Sequence, residues 1–347
     1  MRIAVVHNET GPEDRLDEQD VLIQAEAVSQ SLKELGHDIV QVPCTLDLIN
    51  IKDRLLAYEP QLIFNLVESL DGQGRLIHLF PGLLDAMGIC YTGSCAESIF
   101  VTSHKGLAKE RMVLSGLPTP AWIGPSPCDL PFVNKNLLSS ESERWLVKST
   151  WEHGSLGLDD DEPVENKDPE TLHQILKERA PKLGGSCFAE VFVEGREFNL
   201  SILEGAEGIQ VLPPAEIIFE NYGTQKLTIV GYRAKWDSSS YEYHHTPRWF
   251  DFPPSDATLL QQLKNLAVRC WEVFGLKGYA RIDFRVDSQG RPWILEVNAN
   301  PCLSPDAGFV AAVNRSGMTF VRAIESIAMS GISTQRRESH ASYPAYL

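Results

Sequence analysis

Two short segments towards the C-terminal end carry the residue types best suited to chemistry. In YARIDFRV (279–286), strict alternation puts Arg281, Asp283 and Arg285 on one face of a strand and Ile282, Phe284 and Val286 on the other. PWILEVN (292–298) carries Glu296 and Asn298 on its polar face. The DSQG between them is turn-forming. A hairpin centred near Ser288–Gln289 makes Arg281 and Glu296 cross-strand partners, with Asp283 on the diagonal within roughly 7–8 Å. One sheet face then gathers two carboxylates, an amide and a guanidinium. Such oxygen ligands suit Mg²⁺, which takes one or two carboxylates together with phosphate oxygens. On these residues alone, the competing reading is an exposed face laced with surface ion pairs.

Three further features bear on that choice. WLVKSTWEHGSLG (145–157) places Lys148 on a strand ahead of a Gly154-Ser155-Leu156-Gly157 loop, whose backbone N–H groups could wrap phosphate oxygens. The loop matches neither G-x-x-x-x-G-K-[ST] nor G-x-G-x-x-G, so alone it is also an ordinary connection. In CFAEVFVEGREF (187–198) an apolar strand runs into a glycine turn and then Glu197. Exposed backbone there could meet an adenine edge, and the carboxylate could hold ribose hydroxyls; by itself the segment is a hairpin. Lys105 and Lys235, taken singly, read as solvated charges.

The elements that must position these residues divide the chain into three. Residues 1–103 alternate strand and helix: Arg2–His7, Val21–Leu35 stopped by Gly36, Asp38–Val42, Asp47–Ala57, Gln61–Val67 and Leu76–Met87 stopped by Gly88. That is the pattern of a parallel sheet covered by helices. A helix over Ser103–Ser115 and the proline-bearing LPTPAW mark a boundary near 104. Residues 104–186 form a small central unit with the strand WLVKST, the acidic run DDDEPVE and a helix over Pro169–Ala180. From 187 to 332 the chain becomes strand-rich, with GYRAKW among the strands and a helix over 256–274, which fits an antiparallel sheet with helices. Residues 333–347 lack periodicity and read as a flexible tail.

The 347 residues are 43% hydrophobic and 22% charged, which excludes a disordered chain, and no run approaches the roughly 18 apolar residues of a spanning helix. A formal charge of −16 argues against nucleic acid and anionic membranes as partners. MRIAVVHNET reads as a strand and not as a signal peptide, which places the protein in the cytoplasm. Seven cysteines (44, 90, 95, 128, 187, 270 and 302) show no zinc-ligand spacing and are expected as reduced, mostly buried thiols.

Taken in order, Lys105, VKS with the glycine loop, EVFVEGREF, AKW, RIDF and LEVNANP resemble the ATP-grasp superfamily, in its D-alanine:D-alanine ligase-like branch. The resemblance runs from the first strand through YTGS (91–94) and GLPTP (116–120) to about Ser326. It implies a three-domain ATP-grasp fold and an ATP-dependent carbon–nitrogen ligase. The substrates would be a small-molecule carboxylate and an amine, joined through an acylphosphate. Lys105 and Lys148 would grip the α- and β-phosphates under the Ser155 loop, Glu190, Val191, Phe192 and Val193 would face adenine, and Glu197 the ribose. Lys235 would reach the γ-phosphate, Asp283, Glu296 and Asn298 would hold two Mg²⁺ ions, with Mn²⁺ able to substitute, and Arg281 would stabilise the oxyanion. The family often forms homodimers through its N-terminal domain.

The substrate half departs from the family pattern. Where the family has a glycine and then a serine that holds the second substrate's carboxylate, ANPCLSPDAGF (299–309) places Cys302 and Ala307, with Ser304 or Asp306 as substitutes. The family's His-Gly after the third strand is replaced by FNLVESLDGQGR (64–75), which offers Glu68 and Asp71. Asp17 or Glu18 stands for the N-terminal glutamate, Trp236 alters the closing loop, and His244 and His245 follow it. These departures favour an amino acid or similar small carboxylate other than the D-alanine pair. D-alanine:D-alanine ligation in peptidoglycan precursor synthesis is the first alternative, and a non-catalytic ATP-binding module the second. The retained Arg281 speaks against the module, since a pure binder does not need it. A nicotinamide dehydrogenase is a weaker reading still, because no G-x-G-x-x-G follows the first strand.

Overall fold

The computed structural model describes residues 1–124, 144–158, 163–165, 169–223 and 226–340. The cysteine at 128, the acidic residues at 159–162 and the tail at 341–347 lie outside the described residues. Strand β1 (Arg2–Asn8) is buried from Ile3 onward, as expected of a parallel strand covered on both faces. Helix α1 (Leu16–Glu34), β2 (Asp38–Cys44), α2 (Leu48–Tyr58) and β3 (Leu62–Leu66) follow, and the three strands pair in parallel in the order β2-β1-β3. Helix α3 (Leu79–Met87) ends at a left-handed Gly88. Helices α4 (Ala96–Ser103) and α5 (Lys105–Leu114) are separated only by His104, whose ring accepts from Leu107 N at 3.1 Å and caps α5.

The central region is a four-stranded antiparallel sheet in the order β4-β7-β5-β6, from β4 (Trp122–Ile123), β5 (Arg144–Ser149), β6 (Val164–Glu165) and β7 (Cys187–Val191), with α6 (Pro169–Arg179) packed on it. The Cys187 strand, grouped by its sequence with the C-terminal sheet, thus pairs with the central one. Its Cys187 and Ala189 are buried with Trp145, Val147 and Leu172, and the chain crosses to the larger sheet only after the 192–195 turn.

The C-terminal sheet is antiparallel, in the order β11-β10-β8-β12-β13 with β9 also on β8. Its strands are β8 (Arg196–Gly205), β9 (Gly208–Val211), β10 (Ala215–Ile217), β11 (Arg248–Trp249), β12 (Tyr279–Val286) and β13 (Pro292–Asn298). GYRAKW departs from the strand expected of it. It is a helical turn, α7 (Tyr232–Trp236), followed by α8 (Tyr241–His244). Arg, Ala and Lys are all strong helix formers, and the turn buries Ala234. Helix α9 (Ala257–Val273) covers this sheet, and α10 (Gly308–Arg315) leads to α11 (Phe320–His340). Helix α11 continues past residue 333, where the sequence suggests a tail; Gln-Arg-Arg-Glu at 335–338 favours helix. One hydrophobic core joins Ile3, Val5 and Val21 of the N-terminal region to Leu303, Phe309, Ile324 and Ile327. The central sheet has a core of its own.

Candidate active site

The β12–β13 hairpin forms, but its register differs from the expected one by two positions. Arg281 lies opposite Asn298 and Asp283 opposite Glu296, because Leu295 bulges out between the pairs Phe284–Ile294 and Asp283–Glu296. The turn is also centred one half-step later, on Gln289. The result is better for metal chemistry than the expected arrangement, since the two carboxylates are direct cross-strand neighbours on one face.

That face forms one wall of a cleft. Lys105, Lys148, Ser155, Glu190 to Val193, Glu197, Lys235, Asp283 and Glu296 all line it. Lys105 begins α5, its Nζ donating to Glu152 O at 2.7 Å and lying 3.9 Å from Glu296. Lys148 projects from β5 and donates to Glu190 at 2.5 Å. Ser155 Oγ donates to Val230 O at 2.9 Å, and Trp236 Nε1 to Gly154 O at 3.1 Å. These two bonds tie the glycine loop to the segment carrying Lys235. Gly154 is left-handed at φ 73, and a Cβ there would stand 3.0 Å from the Trp236 indole nitrogen, so the closure requires glycine.

The charges are organised by burial and by one another. Burial pushes the Lys105 and Lys235 ammonium groups below their ordinary values, and Arg281 adds to this at Lys235. Burial opposes ionisation of Glu296, but Lys105, His153 and Lys235 outweigh it and hold the carboxyl well below its usual range. Glu197 is pushed up by burial, only partly offset by Arg285, which lies 3.4 Å away. Arg281 makes a two-pronged pair with Asp283, Nε to Oδ1 and Nη2 to Oδ2, each at 2.8 Å, and Asn199 donates to Oδ1 at 2.8 Å.

The donor set fits Mg²⁺. Three bonds occupy Asp283, and a carboxylate offers about four acceptor directions, so one at Oδ2 remains. Glu296, whose carboxyl is held well below its usual range, faces the cleft, and the Asn298 amide oxygen accepts from Asn300 N at 3.0 Å. Among the described residues no group of three or more His, Cys, Asp or Glu is placed to hold a metal ion.

The cleft opens into a larger chamber lined by Arg281 and Asn298 and, among the candidate substrate residues, by Asp17, Glu68, Cys302 and Asp306. Asp17 accepts from Tyr232 OH at 3.0 Å, whereas Glu18 accepts from Arg15 N at 3.3 Å and serves the helix start. Glu68 accepts from Gln24 at 2.8 Å, and Asp306 from Tyr243 OH at 3.0 Å. Asp71 is exposed in a left-handed turn. Ser304 is buried, and its Oγ donates at 2.8 Å to both oxygens of Asp20, so it does not line the chamber as its sequence position suggests. His245 stacks on Tyr241 at 3.8 Å, and neither it nor His244 lines the chamber.

Several residues of this region escape a reading by sequence. Asp20 anchors the 299–308 segment, taking the Cys302 thiol at 3.1 Å as well as Ser304. Arg248 lines the chamber and donates to Asp306 O at 3.0 Å. Buried Lys109 sits behind Glu190. Only the Lys105–Lys109 spacing of four, which places both on one side of α5, could have drawn attention to Lys109.

The family described as D-ala D-ala ligase C-terminus matches residues 117–329, more than half of the chain and all of both antiparallel sheets. The chain belongs to that family. Among family relatives and solved structures, it is 28% identical to a D-alanine–D-alanine ligase of Aquifex aeolicus over 317 residues, covering 90% of this chain and 96% of the relative. It is 27% identical to an uncharacterized protein of Sinorhizobium fredii over 310 residues, covering 87% and 85%. In fold it matches the Bacillus anthracis D-alanine–D-alanine ligase solved with ATP, with a TM-score of 0.72 over 97% of this chain and 99% of that one, at 19% identity. The three-region ATP-grasp architecture is therefore that of the D-ala D-ala ligase family. Among the described residues no helix is long and apolar enough to cross a membrane.

Proposed function

We propose that the protein is an ATP- and Mg²⁺-dependent carboxylate–amine ligase that forms an amide bond through an acylphosphate, acting on an amino acid or similar small carboxylate. One observation carries this reading: Lys105 and Lys148 stand in the same cleft as the Asp283–Glu296 pair, and that cleft opens into a chamber bordered by Arg281. The first part is suited to a nucleotide, the second to two small substrates.

In this mechanism the edge at Val191–Val193 receives the base and Glu197 the ribose. Lys105 and Lys148 hold phosphate oxygens, and Lys235 neutralises the group being transferred. Mg²⁺, held by Asp283, Glu296 and Asn298, would supply charge neutralisation on the transferring phosphoryl group. The substrate carboxylate oxygen attacks the γ-phosphorus and ADP departs. The second substrate's amine then attacks the acyl carbon, and Arg281 stabilises the oxyanion of the tetrahedral intermediate. Phosphate leaves, taking up the proton that the amine nitrogen gives up, and the amide remains. Tyr232 and Trp236, tied to Asp17 and Gly154, exclude water from the acylphosphate.

The substrate pair is the finer question. The names of the D-alanine–D-alanine ligase relatives favour D-alanine for both positions. The altered 64–75 and 299–309 segments, with Ser304 turned onto Asp20, favour another amino acid. The test is ADP release with Mg-ATP and D-alanine, beside a panel of L- and D-amino acids, diamines and hydroxy acids, with mass spectrometry of products. D-Ala-D-Ala at substantial turnover selects the D-alanine ligase, and turnover only with another pair selects the altered specificity. Failure of every pair to release ADP would sink the ligase reading and leave the ATP-binding module. Light scattering on the same preparation tests the homodimer.

A further inference from the structure

We infer that Lys109, which does not touch the cleft, is the positioning residue that keeps the charge of Lys148 available to the nucleotide. The inference rests on the proposed nucleotide role of Lys148. Lys109 and Glu190 are each 1% exposed, and they form an ion pair. Lys148, 16% exposed at its side chain, donates to the other oxygen of the same carboxylate at 2.5 Å. Behind the pair, Lys109 Nζ donates to Thr119 Oγ1 at 2.8 Å, and Thr119 Oγ1 donates to Ile294 O at 2.9 Å. The Trp122 ring lies 5.6 Å from the ammonium.

The count of charges decides what this arrangement does. Glu190 alone with Lys148 would be a neutral pair, and its carboxylate would draw the ammonium back from the cleft. With Lys109 present, one carboxylate serves two ammonium groups, and a net positive charge remains on the cleft side, where Lys148 is the exposed member. The low-dielectric surroundings make this compensation matter, because a buried carboxylate takes its neutralising charge from whichever cation is within reach. The Thr119 link also ties this assembly to β13, two residues before Glu296, so that the phosphate lysine and the candidate metal ligand share one framework.

The test compares Lys109→Met, Lys109→Arg, Glu190→Gln, Lys148→Met and Lys109→Met/Glu190→Gln, reading ATP affinity by calorimetry and the KM values for ATP and for the carboxylate substrate separately. Lys109→Met is expected to weaken ATP binding roughly tenfold or more, the worth of one charge-assisted contact, with the carboxylate KM unmoved. Lys109→Arg keeps ATP affinity. The double variant recovers the affinity of Glu190→Gln, because Lys148 is then free of an uncompensated carboxylate. It also buries no unpaired charge, so it serves where Lys109→Met fails to fold. Lys109→Met binding ATP like wild type while Lys148→Met does not, or a double variant no better than Lys109→Met, would overturn the inference and leave the nucleotide site standing. If Lys148→Met binds ATP as wild type does, it is the nucleotide reading that fails, and the inference with it.

Discussion

The Arg281 guanidinium and the Asp283 carboxylate, two residues apart on β12, engage each other through both prongs at 2.8 Å. The residue proposed for the oxyanion therefore also fixes the carboxylate proposed for the metal. Removing one member of a buried pair costs about 3–5 kcal/mol, because the other charge is left uncompensated. Arg281→Ala is expected to lower kcat by roughly 10²–10³ through the lost oxyanion contact, and to weaken Mg²⁺ activation through the loosened Asp283. Asp283→Asn should lose Mg²⁺-dependent ADP release yet retain nucleotide binding. An Asp283→Asn protein that releases ADP at the wild-type rate would remove Asp283 from the metal site.

Glu68 supplies a pH test of the substrate chamber. Burial pushes its carboxyl up to about 8, against the Gln24 hydrogen bond and with Asp20 and Asp17 adding to the rise. Between the ordinary carboxylate range and about 8, the folded protein binds a proton that the unfolded chain does not. Stability from this group is thus full at low pH and declines as pH rises through that window. In urea unfolding at pH 5, 7 and 9, Glu68→Gln should show a smaller decline in midpoint than wild type. Identical declines in the two proteins would show that Glu68 is not held protonated.

Cys302 should be a poor nucleophile. Burial, with Asp20 and Glu68 beside it, pushes its thiol well above the ordinary value. Reaction needs the thiolate. Iodoacetamide at pH 8 is expected to leave Cys302 unlabelled in the folded protein and to label it once the chain is unfolded in urea, as read by peptide mass spectrometry. Fast labelling of the native protein would contradict the suppression of the thiolate.

The closing segment should govern coupling. Tyr232→Phe removes the hydroxyl that donates to Asp17 and leaves the ring. A lost hydrogen bond of about 1 kcal/mol shifts an open–closed balance roughly fivefold. More water then reaches the acylphosphate, and the ADP released per amide formed should rise. Trp236→Ala should raise it as well, since it removes the indole and its hydrogen bond to Gly154 O. A ratio fixed at one in both variants would mean that this segment does not shield the intermediate.

The candidate site was legible where the residue types and their spacing are local. Asp283, Glu296, Lys105 and Lys148 stand out because alternation and motif order mark them. The true hairpin register was not legible, because Leu295 is one apolar residue among several and nothing in its type announces a bulge. Asp20 was missed for a different reason: its partners Cys302 and Ser304 lie 282 and 284 residues away, and only tertiary packing brings them together. Lys109 resembles any helix lysine until the fold closes over it. At α7, helix propensity combined with burial of Ala234 prevailed over the strand-rich surroundings.

The shared core of the chain's two ends has a consequence for how the protein is made. Ile3, Val5 and Val21 leave the ribosome long before Ile324 and Ile327, which are among the residues that cover them. At 5–20 residues per second, the intervening chain takes roughly 15–60 s to synthesise. During that interval the helix α1 side of the newborn parallel sheet lacks its native cover from α11. Apolar surface of this kind invites aggregation, and a holding chaperone would matter most until Ile324 and Ile327 have emerged.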